Sequence, residues 1–253
     1  MSQGEQYRGP IIGTGDSWFS YSSGDNGTGI RAGFDIIYFL KDYFKYEIDG
    51  HFKAGDKLAL MTNGSQFQSV LKMVERKKPR VFLFSGGGND VAGEGFELFL
   101  SPIPNYINHS VLNANMIIFE NCYKRMIRKI QTVSPDTQII AHGYGYPPVT
   151  GKGVGQILGF LTGGPWLLPA LNNEEIPADH HNDIVIALID RYYDLLFYLE
   201  SKFDNFHVLD FRSLLKASDW DNELHVKDDA YQDIASRFHD KIQRLVGGNP
   251  YKV

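Results

Sequence analysis

The residues best suited to chemistry stand in a glycine-rich turn near the amino terminus, Gly13-Thr14-Gly15-Asp16-Ser17-Trp18. The short apolar run Ile11-Ile12 precedes this turn and indicates a buried strand. Ser17 therefore has two interpretations. It is either an ordinary turn residue, because Ser, Asp and Gly favour turns, or a nucleophile at the carboxyl end of a strand, where open α/β sheets bind their ligands.

A nucleophilic serine also needs hydrogen-bond donors aimed at the oxyanion that forms after attack. Two later turns supply candidates, Thr62-Asn63-Gly64-Ser65 and Ser85-Gly86-Gly87-Gly88-Asn89-Asp90. We expect the backbone N–H groups of Ser17 and Gly64 and the side-chain amide of Asn89 to form an oxyanion hole. The simpler alternative is that these are common turns, since Asn and Gly are frequent in turns of every kind.

The candidate base is His225, which ends the segment Trp220-Asp221-Asn222-Glu223-Leu224-His225. This polar segment lies between a strand pattern and the last helix pattern, so it falls at the same carboxyl edge as Ser17. A histidine within reach of a serine hydroxyl can accept its proton during attack.

Strand and helix patterns alternate about five times along the chain. This alternation predicts an α/β fold, a three-layer α/β/α sandwich with a five-stranded parallel sheet. The helix at 113–132 is predicted to use Ile117, Ile118 and Cys122 on its apolar face. The predicted strands are 11–12, 57–61, 79–84, 138–141 and 206–210, and the predicted helices are 30–46, 66–77, 113–132, 183–202 and 228–245.

Two stretches, 91–112 and 147–180, interrupt the alternation. We expect a single domain over 1–253, with these insertions at the carboxyl edge as a possible lid, because long loops in compact domains are often functional. An extension of the core or an oligomer contact is the alternative. His142, Tyr144 and Trp166 are weak candidates for lining a substrate pocket, and core packing suits them equally well.

In their order along the chain, these motifs resemble the GDSL esterase/lipase family, also called the SGNH hydrolases. The residues that carry the resemblance are Gly15-Asp16-Ser17, Gly64, Gly88-Asn89-Asp90 and His225. The resemblance implies a flavodoxin-like sheet of order 2-1-3-4-5 and hydrolysis of esters or thioesters through an acyl-enzyme, without metal or other cofactor. It also implies that Ser17 is the nucleophile, that His225 is the base, and that the three donors named above form the oxyanion hole.

One position departs from the family pattern, which usually has Asp three residues before the histidine. Here that residue is Asn222. An acid in that role orients the imidazole and stabilises the imidazolium, whereas an amide can only orient it. Asp221 or Asp219 are alternatives at less suitable spacing. We therefore predict a Ser17–His225 dyad with a neutral third member, slower than a full triad.

Composition limits the classes of partner. The formal net charge is −5, so there is no basic excess for nucleic acid, and the cluster 76–78 is interpreted as the basic end of a helix. His180, His181 and Asp183 are interpreted as the solvated start of a helix rather than a metal site.

Compartment and membrane association follow from two further features. Cys122 is the only cysteine, which excludes an internal disulfide. No run is long and apolar enough for an integral membrane segment, and residues 1–8 lack the apolar core of a signal peptide. A soluble protein is expected, with the cytoplasm slightly favoured.

Three functions remain open from the sequence. The leading one is a serine hydrolase that cleaves carboxylic esters of small to medium acyl chains, with a small-molecule, lipid or sugar ester as substrate. The second is a carbohydrate acyl esterase or acyltransferase, since a sugar hydroxyl can replace water as acceptor. The third is a catalytically weakened binding protein of the same fold, which the amide at Asn222 motivates.

Overall fold

The structure is a computed structural model that describes residues 6–21, 34–93, 95–102, 106–154 and 163–247. Within it, five strands form one parallel sheet of order β2-β1-β3-β4-β5. The predicted sheet order is therefore confirmed. The strands are β1 (Ile11–Gly15), β2 (Ile48–Phe52), β3 (Val81–Ser85), β4 (Gln138–His142) and β5 (Phe206–Leu209).

Helices cover both faces of this sheet, which confirms the predicted three-layer sandwich. The helices are α1 (Ile36–Tyr38, continued by the π-helical turn Phe39–Tyr43), α2 (Leu58–Thr62), α3 (Gly64–Lys77), α4 (Gly88–Val91), α5 (His109–Val133), α6 (Leu167–Asn173), α7 (His181–Glu200) and α8 (Asp228–Val246). Helix α5 packs against α3 and α7, and α8 packs against α1.

The core lies on both sides of the central strands β1 and β3. Every residue of these two strands is buried, which explains why β3 reads as a continuous apolar run rather than an alternating one. Because all five strands are parallel, the turns that follow them emerge at one edge. The segments that carry Ser17, Asn89, Tyr144 and His225 therefore converge there.

The prediction for the second strand was wrong. Residues 57–61 are not a strand but the start of α2, Leu58–Thr62, and the second strand is β2, Ile48–Phe52. Strand β2 pairs only with β1 and lies at the edge of the sheet, and it carries the polar residues Asp49 and His51. Pairing with β1, rather than local apolar content, makes this segment a strand.

Two helix predictions need correction in detail. Helix α5 spans His109–Val133, but Ile117 and Ile118 are on its exposed face, with 60% and 53% of their surfaces accessible. Its buried face contains Leu112, Met116, Phe119 and Tyr123 instead. The helix predicted at 30–46 begins only at Ile36 in the described part of the chain, and 30–33 lie outside the described residues.

The two predicted insertions contain short helices. Phe96–Phe99 forms a 3₁₀ turn in the first, and α6 with the 3₁₀ turn Ala178–His180 lies in the second, whose residues 155–162 fall outside the described ranges. Among the helices that are described, none is both long and apolar enough to cross a membrane.

Candidate active site

The turn after β1 is fixed by the buried carboxylate of Asp16. One carboxylate oxygen accepts hydrogen bonds from the Trp18 N–H at 3.0 Å and the Ser85 hydroxyl at 2.7 Å, and the other accepts the Tyr144 hydroxyl at 2.6 Å. Ser85 ends β3 and Tyr144 follows β4. Three neighbouring strands thus hold the backbone around Ser17 through one side chain, which leaves Ser17 little freedom.

Ser17 and His225 are in hydrogen-bonding contact. The distance from Ser17 Oγ to His225 Nε2 is 2.8 Å, although 208 positions separate the two residues in sequence. Both are buried, with 9% and 5% of their surfaces exposed. This is the separation expected between a nucleophile and its base.

Asn222 determines which ring nitrogen of His225 carries the proton. Its Oδ1 accepts the backbone N–H groups of Leu224 and His225, each at 3.0 Å. These two donors identify the atom as the oxygen, so His225 Nδ1, at 3.1 Å from it, must donate. Nε2 is then unprotonated in the neutral ring and can accept the Ser17 hydroxyl proton.

The amide of Asn222 is oriented from its other end by Tyr21 and Asp221. Its Nδ2 donates to the Tyr21 hydroxyl at 3.1 Å and lies 3.4 Å from Asp221 Oδ2. The Tyr21 ring also stacks on His225, with ring centroids 4.1 Å apart. The carboxylate nearest to the imidazole therefore reaches it through an intervening amide rather than by direct contact.

Burial dominates the electrostatics of His225. Removal from water disfavours the imidazolium and lowers the pKa of His225 from 6.5 to about 3, while the carboxylate of Asp221 opposes this shift. Asp221 is itself partly exposed and paired with Lys152 Nζ at 3.0 Å, so its field at the imidazole is weakened. The ring is neutral, as a base must be before attack.

The proposed oxyanion donors come from three separate elements. Asn89 lies in α4, and its side-chain amide donates to the Asp56 carbonyl at 3.1 Å, which leaves its second amide hydrogen for a ligand. Within the described part of the chain, the Ser17 N–H donates to no acceptor. Gly64 is exposed and begins α3 with a φ of +82°. Its N–H belongs to the first helical turn and has no partner within the helix.

The helix that Gly64 begins is connected to Asn89 through two side-chain hydrogen bonds that meet at Asp56. Asp56 accepts the Asn89 amide on its backbone oxygen and the Gln66 amide on its carboxylate at 2.7 Å. Gln66 lies two residues after Gly64 in α3. Gly64 follows a helix rather than the expected second strand, and it is not among the residues that line the cavity at Ser17.

A largely apolar cavity opens beside Ser17, with about 550 Å³ of empty space including its mouth. Leu188 and Ile189 of α7 form part of its wall, and Trp220 and Leu224 come from the segment that carries His225. The remaining lining residues are Asp16, Trp18, Gly87, Gly88, Asn89, Val91, Ala92, Tyr144, Pro147, Tyr192 and Glu223. Such a surface suits an apolar group attached to the carbon that Ser17 would attack.

The weaker pocket candidates lie at different positions. Tyr144 is among the residues that line the cavity. His142 does not line it: the residue is fully buried, with Nδ1 donating to the Gly143 carbonyl and Nε2 at 2.9 Å from Ser85 Oγ. Trp166 is likewise outside the cavity lining, and its ring lies 6.2 Å from the His225 ring, edge to face.

The histidine pair His180-His181 stands at the start of α7, as predicted, but the expected solvation does not hold for His181. His181 is the first residue of that helix, but it is buried rather than solvated, and its Nε2 hydrogen-bonds the Ile176 carbonyl at 2.8 Å. Among the described residues, no group of His, Cys, Asp or Glu is arranged to hold a metal ion.

Two residues of the site had no role in the sequence-based hypothesis. Tyr21 was assigned no function, and Glu223 was interpreted only as part of the polar segment 220–225. No local pattern distinguishes them, because their partners are distant in sequence: Asn222 for Tyr21, and Gly151 and residues 166–168 for Glu223.

Comparison with known proteins gives matches in structure only, because no family model and no curated protein sequence matches this chain. The lipase Lip_vut3 from a goat rumen metagenome superposes with a TM-score of 0.58 at 14% identity, covering 94% of this chain and 98% of the lipase. A family 3 carbohydrate esterase from Clostridium thermocellum gives a TM-score of 0.51 at 15% identity, covering 94% and 98%.

A third structure, from Parabacteroides merdae, is described as a GDSL-like lipase. It gives a TM-score of 0.53 at 14% identity and covers 93% of this chain and 95% of its own. All three matches extend over nearly the whole length of both partners. The chain has the fold of GDSL-like lipases and carbohydrate esterases.

Proposed function

We propose that this protein is a serine esterase that cleaves carboxylic esters with small to medium apolar acyl chains. The observation that carries the proposal is the 2.8 Å contact between Ser17 Oγ and His225 Nε2, in a ring whose protonated nitrogen faces away from the serine. The fold shared with lipases and carbohydrate esterases supports the same reaction class, although fold alone does not determine function.

In the proposed acylation step, Ser17 Oγ attacks the ester carbonyl carbon while His225 Nε2 takes the hydroxyl proton. The negative charge that develops on the carbonyl oxygen is held by the N–H groups of Ser17 and Gly64 and the amide of Asn89. As the tetrahedral intermediate collapses, the C–O bond to the leaving group breaks and His225 returns the proton to the departing alcohol. Ser17 remains acylated.

Deacylation repeats these steps with water. His225 accepts a proton from water as the water oxygen attacks the acyl carbon, and the same donors hold the second oxyanion. The proton then returns to Ser17 Oγ as the acid departs. Neither step needs a metal or another cofactor.

Asn222 acts as the third member of the site by fixing the tautomer and orientation of the imidazole through its amide oxygen. Asn222 adds no charge. Electrostatic stabilisation of the imidazolium therefore depends on the carboxylate of Asp221, which is separated from the ring by the Asn222 amide. We expect a slower enzyme than one with a carboxylate in contact with Nδ1.

The cavity beside Ser17 supports an apolar acyl group as the bound half of the substrate. Its walls are formed mainly by aliphatic and aromatic side chains, and burial of acyl methylenes there is favourable by about 0.8 kcal/mol each. The empty space of about 550 Å³, which includes the open mouth, accommodates a short acyl chain.

Hydrolysis of p-nitrophenyl acetate, butyrate and octanoate by wild-type protein and Ser17→Ala tests the proposal. We expect release of p-nitrophenol, fastest for the shorter chains, that disappears in Ser17→Ala, and labelling of Ser17 by a fluorophosphonate. A folded wild-type protein that hydrolyses none of these esters and takes up no label would contradict the assignment and favour the binding-protein alternative.

A carbohydrate ester is the second candidate substrate. The structural likeness to a carbohydrate esterase and the position of Trp220 in the cavity wall favour it, because indole rings stack on sugars. A kcat/KM on acetylated sugars or xylan above that on p-nitrophenyl acetate would select this substrate. Transfer of the acyl group to an added sugar would identify an acyltransferase.

A further inference from the structure

Glu223 is a fully buried carboxylate that lines the cavity beside Ser17, and within the described residues its hydrogen bonds go to neither Ser17 nor His225. It is 0% exposed and stands in sequence between Asn222, which orients the imidazole, and His225 itself. A buried carboxylate is costly unless it is paired or fully hydrogen-bonded. Its hydrogen bonds therefore indicate what it is retained for.

Among the described residues, every hydrogen bond of this carboxylate comes from a backbone N–H of the second insertion. Oε1 accepts the N–H of Gly151 at 2.8 Å and of Leu168 at 3.1 Å, and Oε2 accepts the N–H groups of Trp166 and Leu167, each at 2.7 Å. Two parts of the insertion, fifteen residues apart, thus meet on a single side chain.

The two parts of the insertion are also packed directly against each other. The Val154 N–H donates to the Gly163 carbonyl at 3.0 Å. Gly151, with a φ of +71°, lies so close to Leu168 that a Cβ at this position would approach its side chain to 2.7 Å. The Glu223 N–H in turn donates to the Lys152 carbonyl, so backbone and side chain of Glu223 hold the same unit.

This unit places Trp166 beside the base. The Trp166 N–H is bound by Glu223, and its ring meets the ring of His225 edge to face at 6.2 Å. We propose that Glu223 is a positioning residue that ties residues 151–154 and 163–168 of the second insertion to the segment that carries His225, so that Trp166 keeps water from His225. The inference rests on the proposed function only for its kinetic consequences.

Within the described part of the chain, the charged and titratable side chains that bear on His225 come from three elements. Tyr21 stacks on the ring, Asp221 approaches through Asn222, and Lys152 of the insertion neutralises Asp221 from outside. Burial lowers the pKa of His225 far below its ordinary value. If the insertion detaches, water reaches the ring and the pKa of His225 rises.

Glu223→Gln tests the proposal, with Glu75→Gln on the exposed face of α3 as a matched control for the same change in charge. The first readout is the NMR titration of His225 in protein with ¹⁵N-labelled histidine. We expect its midpoint to rise by about one pH unit or more in Glu223→Gln only. Loss of the negative charge alone would lower the midpoint, so an upward shift reports hydration.

Two further readouts accompany the titration. Hydrogen exchange at the amides of Trp166, Leu167 and Leu168 should accelerate in Glu223→Gln. With an ester substrate, the acid limb of kcat/KM should move to higher pH, and kcat/KM should fall about tenfold at neutral pH. A His225 titration and an acid limb equal to those of Glu75→Gln, with only a lower melting temperature, would show that Glu223 is merely structural and overturn the proposal.

If Glu223→Gln does not fold, Trp166→Ala answers the same question, because it removes the ring and keeps the backbone N–H that Glu223 binds. The His225 midpoint should again rise, and an unchanged midpoint would overturn the proposal. Wild-type protein without ester hydrolysis would contradict the proposed function, while the NMR titration would still decide the role of Glu223.

Discussion

The two sides of the candidate site are built differently. On the base side, His225 and the side chain that orients it lie within one short turn, where Asn222 Oδ1 accepts two backbone N–H groups and the ring of His225. On the side of the proposed oxyanion hole, the candidate donors come from the turn after β1, from the start of α3 and from α4. The candidate base is thus held locally, whereas the proposed oxyanion hole depends on how three elements pack.

This difference concerns charge as well as geometry. The base side is closed and satisfied, yet its nearest carboxylate is separated from the imidazole by an amide. The oxyanion side has unused donors, since the Ser17 N–H has no acceptor within the described residues. In the proposed mechanism the oxyanion is therefore met by unpaired donors, whereas the imidazolium is stabilised by a carboxylate only through the intervening amide.

The largest expected effect is from removal of the base. His225→Ala should lower kcat/KM for a p-nitrophenyl ester by about 10⁴-fold or more, because Ser17 then lacks a proton acceptor. Steady-state kinetics measures this, with His109→Ala on the exposed start of α5 as the matched histidine control. Activity of His225→Ala within tenfold of wild type would contradict the assignment of the base.

Loss of one oxyanion donor should have a smaller effect. Asn89→Ala is expected to reduce kcat by about 10²- to 10³-fold with little change in KM, because its amide acts on charge present only in the transition state. The control is Asn115→Ala, which also loses an amide bond to a main-chain carbonyl, but within α5. An equal loss in both variants, or a loss confined to KM, would argue against the role of Asn89.

Moving the negative charge from position 221 to position 222, next to His225, tests whether a carboxylate in direct contact with the imidazole was missing. The double variant Asp221→Asn with Asn222→Asp keeps the net charge and brings the carboxylate to Nδ1, so the pKa of His225 should rise and kcat/KM should increase about tenfold. Since only the neutral ring is a base, the wild-type acid limb should lie below pH 6.5, as burial lowers the pKa of His225, and the variant's limb should lie at higher pH.

The single substitution Asn222→Asp serves as control for this swap. It places a second carboxylate next to Asp221 and should gain less than the double variant, because the two negative charges repel each other. A double variant with an unchanged acid limb and unchanged rate would show that the missing charge does not limit the reaction.

The smallest expected effect is from Tyr21→Phe. The ring stack on His225 remains, but the hydroxyl that accepts the Asn222 amide is lost. We expect kcat/KM to fall about two- to fivefold, as the amide becomes less firmly oriented. A loss as large as that of Asn89→Ala would mean that Tyr21 takes part in the reaction directly.

Sequence predicts the parts of this molecule whose signals are local. Strands β3, β4 and β5 are compact apolar runs, and the catalytic candidates are found through short motifs in a fixed order. Strand β2 was missed because it is an edge strand with polar residues, and Leu58–Thr62 was misassigned because a short apolar run fits a helix equally well. Which face of α5 is buried is likewise decided by its neighbours.

The candidate site likewise contains residues that local sequence signals identify and contacts that they do not. Ser17 and His225 could be selected because each follows a strand in a loop of suitable composition. The Glu223 carboxylate accepts N–H groups of residues 151 and 166–168, and the Asn222 amide donates to the Tyr21 hydroxyl. These hydrogen bonds join positions from 55 to 201 residues apart. Such long-range contacts arise from the packing of loops at the sheet edge, and the spacing of residues in one sequence does not encode them visibly.

The Asn222 turn has a consequence for engineering. The orienting oxygen, the two backbone N–H groups that hold it and the base all lie in four consecutive residues, 222–225. The same four residues include Glu223, whose carboxylate accepts N–H groups of Gly151 and of residues 166–168. A loop exchange at 222–225 therefore has to include these partner segments if the transplanted base is to keep its surroundings.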